Sequence, residues 1–269
     1  MENYISIFDV ERRVNPIEEY LRLLKYICNT RIRTVSVCMS FYSYIDKHFI
    51  EWKFRDRALS IEDYLKILKI DMYRPYTDVN ALCGIELFYN LSIWIKEYAI
   101  NNGEAGYDVY NDIIKVSTHV RENVKSILEG LNMKDVKQEK YKYIFCKRDE
   151  DVDSVLEYVP DISSYLLGYL DFRRQKDILY KQGALKCIAD YLEPRRNAIQ
   201  NSNYKGLCDT VFFAFNNFRI RHDNNKQIRF NTDEEMIAAY DKTFKLALHL
   251  IRAEMAIELK NEIDKYKPK

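Results

Sequence analysis

Residues 207–225 read LCDTVFFAFNNFRIRHDNN, passing without a break from an apolar run into a polar knot: Asn216, Asn217, Arg219, Arg221, His222, Asp223, Asn224 and Asn225. On a helix turning about 100° per residue, Leu207, Val211, Phe215, Phe218 and His222 share one narrow stripe. Phe213 and Ile220, with Asn217 between them, take the opposite side. A helix apolar on most of its circumference is a buried one. The stretch therefore predicts a central helix over 205–221, with both Phe215 and Phe218 inside and the polar end at or just below the surface.

The rest of the chain supports a helical setting. It has 269 residues, 47% of them hydrophobic, with only seven Gly and five Pro, fewer chain breakers than the usual ~7% and ~5%. Val109, Ile113, Val116, Val120, Val124, Ile127 and Leu131 recur at helical spacing. Residues 79–101 carry two apolar stripes, one through Ile85, Phe88, Ser92, Ile95 and Ala99, the other through Leu87, Leu91, Trp94 and Tyr98. Glu86 sits within that helix, either at an edge or bonded to Asn90 one turn on. Residues 31–54 fit both periods; their length, with neither Gly nor Pro, favours helix. A long charged helix is expected over 173–200, interrupted at Gly183 and kinked or ended near Pro194.

Helix starts are signalled at Ser60-x-x-Asp63, at Asp78 and at Asn231-x-x-Glu234. The alternation in EKYKYIFCK, 139–147, marks a strand that pairs with 133–136. The expectation is an all-α, multi-helix bundle with at most a small β-hairpin near 133–147. It reads as a single helical domain over 1–269. Any subdivision falls at the 102–106 loop, giving 1–101 and 107–269.

Forty-two basic and forty-one acidic residues leave a formal charge of +1, so overall charge advertises neither nucleic acid nor a membrane surface. The N-terminal MENYISIFDVERR carries charges where a signal peptide needs an apolar core. No uncharged run reaches the ~18 residues of a spanning helix. Six cysteines are scattered without a C-x-x-C pair, which suits reduced thiols in a cytoplasmic protein away from any membrane. The 22 Tyr suit helix–helix seams or an oligomer interface; a biased base composition explains them equally well.

Gly-rich phosphate loops and nucleophile elbows are missing from the sequence. His119 and Glu122 have the spacing of a bundle metal site, but companion glutamates on other helices are not evident, and neither metal nor cofactor is expected. Two stretches carry chemistry-type residues: Glu193-Pro194-Arg195-Arg196-Asn197 and the knot. A His beside Arg side chains is the minimum for metal-independent RNA cleavage, the imidazole moving a proton and the guanidinium stabilising phosphorane charge. The plainer alternative is that Asn216 and Asn217 cross-link helices, Arg221 pairs with Asp223 or Glu193, and His222 is a satisfied core residue.

NNFRIRHDNN, preceded by LEPRRNAI and an apolar helix, resembles the C-terminal part of abortive-infection-type bacterial defence proteins. More distantly it is similar to HEPN domains, helical bundles that are often dimeric. Their hallmark is an Arg, usually followed by a polar residue, with a His four to six residues further along. Here Arg219 precedes His222 by three residues and Arg221 by one, and Asn201 stands where a His would follow Arg196-Asn197. The resemblance covers the last hundred or so residues. It implies a degenerate HEPN-like region within 107–269 and a defence or toxin-type effector acting on RNA as a homodimer. His222 would be the acid/base with Arg221 and Arg219 at the phosphate. Asn216, Asn217, Asp223, Asn224, Arg195 and Arg196 would bind or position. The alternative is a non-catalytic helical interaction protein with a protein partner in a defence system.

Overall fold

In a computed structural model the described residues are 14–33, 37–102, 107–222 and 227–267. Helices dominate them, joined by two short antiparallel hairpins. Residues fall into two units, Met1–Phe145 and Cys146–Lys269. The division does not lie at the 102–106 loop, because the helices on either side of that loop pack against each other.

In the first unit, α1 (Pro16–Asn29) starts at Asn15, whose Oδ1 accepts from the Ile17 and Glu18 amides at 3.0 and 3.3 Å. Pro16 follows at the first helical position, where its missing N–H costs nothing. Residues 31–33 and 38–40 correct the helical expectation for 31–54, and 34–36 lie outside the described residues. The two stretches form β1 (Arg31–Arg33) and β2 (Cys38–Ser40), paired Arg31 to Ser40, Ile32 to Met39 and Arg33 to Cys38. Helix begins only at α2 (Phe41–His48), because the Ser40 hydroxyl takes the Ser43 amide at 3.0 Å and caps it there. The expected capping box opens α3 (Ile61–Ile67): Ser60 Oγ accepts from the Asp63 amide at 3.1 Å, and Asp63 Oδ2 accepts in return from the Leu59 amide at 3.0 Å.

The core of this unit is α4 (Asp78–Asn102), buried on both predicted stripes. Its cap is Thr77, which takes the Asn80 amide at 3.1 Å, so Asp78 lies one position inside. Here α5 (Tyr107–Gly130) lies against α4, with Val109 through Ile127 of the predicted stripe buried. The expected hairpin follows as β3 (Met133–Glu139) and β4 (Lys142–Lys147). Two polar residues of α4 reach β4. Glu86 accepts the Phe145 amide at 2.8 Å. Asn90 accepts the Tyr143 amide at 2.7 Å and donates to the Tyr143 carbonyl at 2.9 Å.

In the second unit, Asp149 caps α6 (Glu150–Val155). After α7 (Ser163–Leu170) comes α8 (Ile178–Leu192), which runs unbroken through Gly183. Its end agrees with the expectation: Pro194 sits in a 3-10 turn, Glu193–Arg195, ahead of the short α9 (Arg196–Gln200). The expected central helix is α10 (Lys205–Asn217), which stops four residues early. Last comes α11 (Asp233–Asp264), packed on α8 and α10. Its cap is Thr232 with Glu235, one residue beyond the predicted Asn231 and Glu234.

Many tyrosines do fill helix seams with a polar handle. Tyr20 and Tyr89 are fully buried, yet their hydroxyls donate to the Met72 carbonyl at 2.9 Å and to Asp135 at 2.6 Å. Burial raises the hydroxyl pKa of Tyr20, Tyr42, Tyr89 and Tyr169, and pushes that of Tyr191 up to about 12. Unfolding returns each to about 10. The folded state therefore holds these protons more tightly, so their contribution to stability is complete below about pH 10 and is lost as pH rises beyond it. Thermal melts at stepped alkaline pH should show the midpoint falling, with tyrosinate absorbance appearing at unfolding. An ordinary titration of all tyrosines in the intact fold would contradict this.

None of the six cysteines is joined in a disulfide; Cys146 and Cys208 are buried and Cys38 is exposed. Among the described residues no helix is long and apolar enough to cross a membrane.

Candidate functional site

How α10 ends decides the shape of the knot. The Asn217 side-chain amide donates back to the Phe213 carbonyl at 2.8 Å, and the Phe218 amide closes the last turn on Ala214 at 2.9 Å. Arg219 then takes φ = 60°, a left-handed conformation that Gly or Asn usually supplies at a helix C-terminus. The Arg221 amide folds back onto the Phe215 carbonyl at 3.1 Å. Neighbouring side chains pin the reversal: Tyr240 donates to the Phe218 carbonyl at 3.1 Å and Gln182 donates to that of Arg219.

Helical phase is lost at this turn, and with it the stripe beyond Phe215. Phe215 is fully buried, Phe218 only half-buried, and His222 exposed. Phe213, assigned to the buried opposite face, is 52% exposed, whereas Ile220 is buried. The helix buried on most of its circumference is α4, not α10.

Around Glu193 the structure gathers two of the predicted arginines. Arg221 Nη1 forms an ion pair with Glu193 Oε2, and Arg196 Nη1 lies 4.0 Å from Oε1. The Arg196 guanidinium also sits over the Phe212 ring, 4.5 Å from its centroid. Arg195 points elsewhere. It stacks on Tyr191 at 3.9 Å, donates to the Tyr191 carbonyl at 2.8 Å and pairs with Glu254 at 3.1 Å. Asn216 and Asn217 serve through their carbonyls, which accept from Gln227 at 3.3 Å and from the Ile228 amide at 3.0 Å. Asp223 and Asn224 lie outside the described residues.

Two charged centres escaped the sequence reading. The Glu254 carboxyl is buried in α11, and that burial raises its pKa against the opposing pull of Tyr158 and Arg195. Lys181 of α8 is 2% exposed, with Nζ 2.6 Å from Asp241 Oδ1 and 4.1 Å from the Tyr169 ring centroid. The Tyr169 hydroxyl donates to the same Asp241 oxygen at 2.8 Å, and its ring stacks flat on Phe244 at 3.9 Å. The available signal was a charge on an apolar stripe: Lys181 keeps helical spacing with Ala184, Leu185 and Ile188, and Glu254 with Ala247 and Ile251.

Elsewhere, His48 is buried between the rings of Tyr44 and Tyr98. His119 is exposed beside Tyr26 at a cleft of about 780 Å³ between α1 and α5. Among the described residues, no three His, Cys, Asp or Glu side chains are grouped as metal ligands. Chemically, Arg221 and Arg196 share the Glu193 carboxylate, Arg195 has that of Glu254, and the His222 imidazole is exposed. No family model matches the chain, and neither a curated protein nor a solved structure matches it.

Proposed function

We propose that the chain is a non-catalytic helical interaction protein in which the Arg and Asn residues of the knot form a structural polar network. One observation carries this reading. Arg221 and Arg196 converge on Glu193, and Arg195 is engaged by Glu254. A guanidinium whose charge is already balanced by a carboxylate gains less by contacting a phosphate. On this reading the chain acts in the cytoplasm on a protein partner in a defence system.

A second reading is favoured by the exposure of His222 directly after Arg221. In it the chain is a homodimeric toxin-type effector that cleaves RNA, with His222 moving the proton and Arg221 and Arg219 at the phosphate. One experiment separates the two. Wild type and His222→Ala are expressed, and growth, cellular RNA integrity and the melting temperature of the purified chains are compared. On the first reading all three stay the same, because an exposed imidazole away from packed groups contributes within about 0.5 kcal/mol. Wild-type RNA breakdown that disappears in His222→Ala, with the melting temperature unchanged, would replace the first reading with the second.

A further inference from the structure

Between α10 and α11 lies a groove of about 460 Å³, within the roughly 300–1,000 Å³ typical of small-ligand sites. Three aromatic rings form one side of it. Phe213 meets Phe218 edge-on at 6.2 Å, and Phe218 meets Phe230 at 5.4 Å. Across from them α11 presents Ala238 and Ala239, whose small side chains leave the space open. Phe213 remains 52% exposed, so a large apolar ring faces water where a ligand would cover it.

The hydroxyl donors around this groove, and one oxygen of Glu235, already have partners. The Thr210 hydroxyl donates to the Gly206 carbonyl at 2.9 Å, and that of Thr243 to Ala239 at 2.8 Å. Glu235 accepts the Asn231 amide at 2.8 Å as part of the α11 cap. That leaves the ammonium of the exposed Lys242, which among the described residues has no ion pair. The groove thus offers aromatic and methyl surface with one cation, Lys242, and one carboxylate, Glu235, drawn back to the α11 cap. A nucleotide would find neither base-pairing partners nor enough cations for a polyphosphate. A neutral oil would leave the lysine unused.

We infer that the α10–α11 groove is a binding site for a monoanionic amphiphile, a carboxylic acid with an alkyl or aryl tail. The tail lies against Phe213, Phe218 and Phe230, and the carboxylate meets Lys242. This site is separate from the Glu193 network, so the inference does not depend on how His222 behaves.

Calorimetric titration of the full chain with decanoate, decanol and decyltrimethylammonium, all below micelle formation, tests it. Decanoate should saturate at one per chain, decanol should bind more weakly, and the cationic amphiphile should not saturate. Lys242→Glu should weaken decanoate about tenfold, the scale of one charge-assisted contact, and leave decanol unaffected. Ala238→Trp, which fills the groove from an exposed position, should abolish both, with an unchanged melt showing that the variant is folded. Failure of wild type to saturate with decanoate overturns the site. Binding that ignores either substitution does the same, by removing the groove or the cation from it. A dimer that decanoate dissociates would assign the groove to a second copy of the chain and likewise overturn the small-ligand assignment.

Discussion

Asp241→Ala is expected to lower the unfolding free energy by about 3–5 kcal/mol, the range for stripping one partner from a buried ion pair. The Lys181 ammonium is 2% exposed and has Asp241 Oδ1 at 2.6 Å; the Tyr169 hydroxyl leans on the same oxygen at 2.8 Å. One substitution thus deprives two donors on two helices of their acceptor. The Asp241 side chain is 47% exposed, so water enters easily on its side, which places the effect toward the lower end. Lys181→Met in the same background should recover most of the loss, since an apolar isostere removes the uncompensated charge. Urea denaturation of the wild type, both single variants and the double variant reads all four corners. A cost under about 1 kcal/mol for Asp241→Ala would mean that the pair behaves as a surface ion pair.

Phe215→Ala should cost about 3–5 kcal/mol, through lost transfer energy and the cavity left behind. Its ring is completely buried and meets Phe212 edge-on at 5.7 Å. Its carbonyl receives the Arg221 amide, so the cavity opens beneath the reversal that carries the knot. Phe218→Ala is the informative comparison. That ring is half-buried at the groove, and its removal should cost clearly less. Equal losses in denaturant titrations would restore the continuous stripe that the structure breaks at Arg219.

The difference between these rings marks how far the sequence could be read. In α5 each apolar position depends on the same regular turn, so spacing alone located the buried face. The end of α10 depends on Arg219 adopting a left-handed backbone, and arginine gives no such signal where a Gly or Asn would. Residues 31–54 satisfied both periods, and the strands occupy only 31–33 and 38–40. What separates them is the local Ser40 cap on Ser43 and one tertiary contact, the Arg33 guanidinium on Asp112 at 3.1 Å. Of the predicted site, the pairing of Arg221 with Glu193 was legible, because both are charged residues beside helix ends. Lys181 and Glu254 went unnoticed because their partners stand 60 and 59 residues away, a distance no local pattern spans.

Glu86 and Asn90 hold β4 entirely by its main chain, through the amides of residues 143 and 145 and the carbonyl of 143. Such a grip is indifferent to which side chains those two residues carry, provided each keeps its N–H. Exposed positions of β4 can therefore drift without loosening it, proline excepted, while Phe145 is fixed by its burial against Tyr89. On the α4 side the freedom is reversed. A shorter Asp at 86 falls short of the strand, Asp at 90 has no donor for the Tyr143 carbonyl, and Leu at either position leaves a buried amide without its acceptor. The strand is thus gripped through its backbone, whereas the helix that grips it depends on two particular side chains.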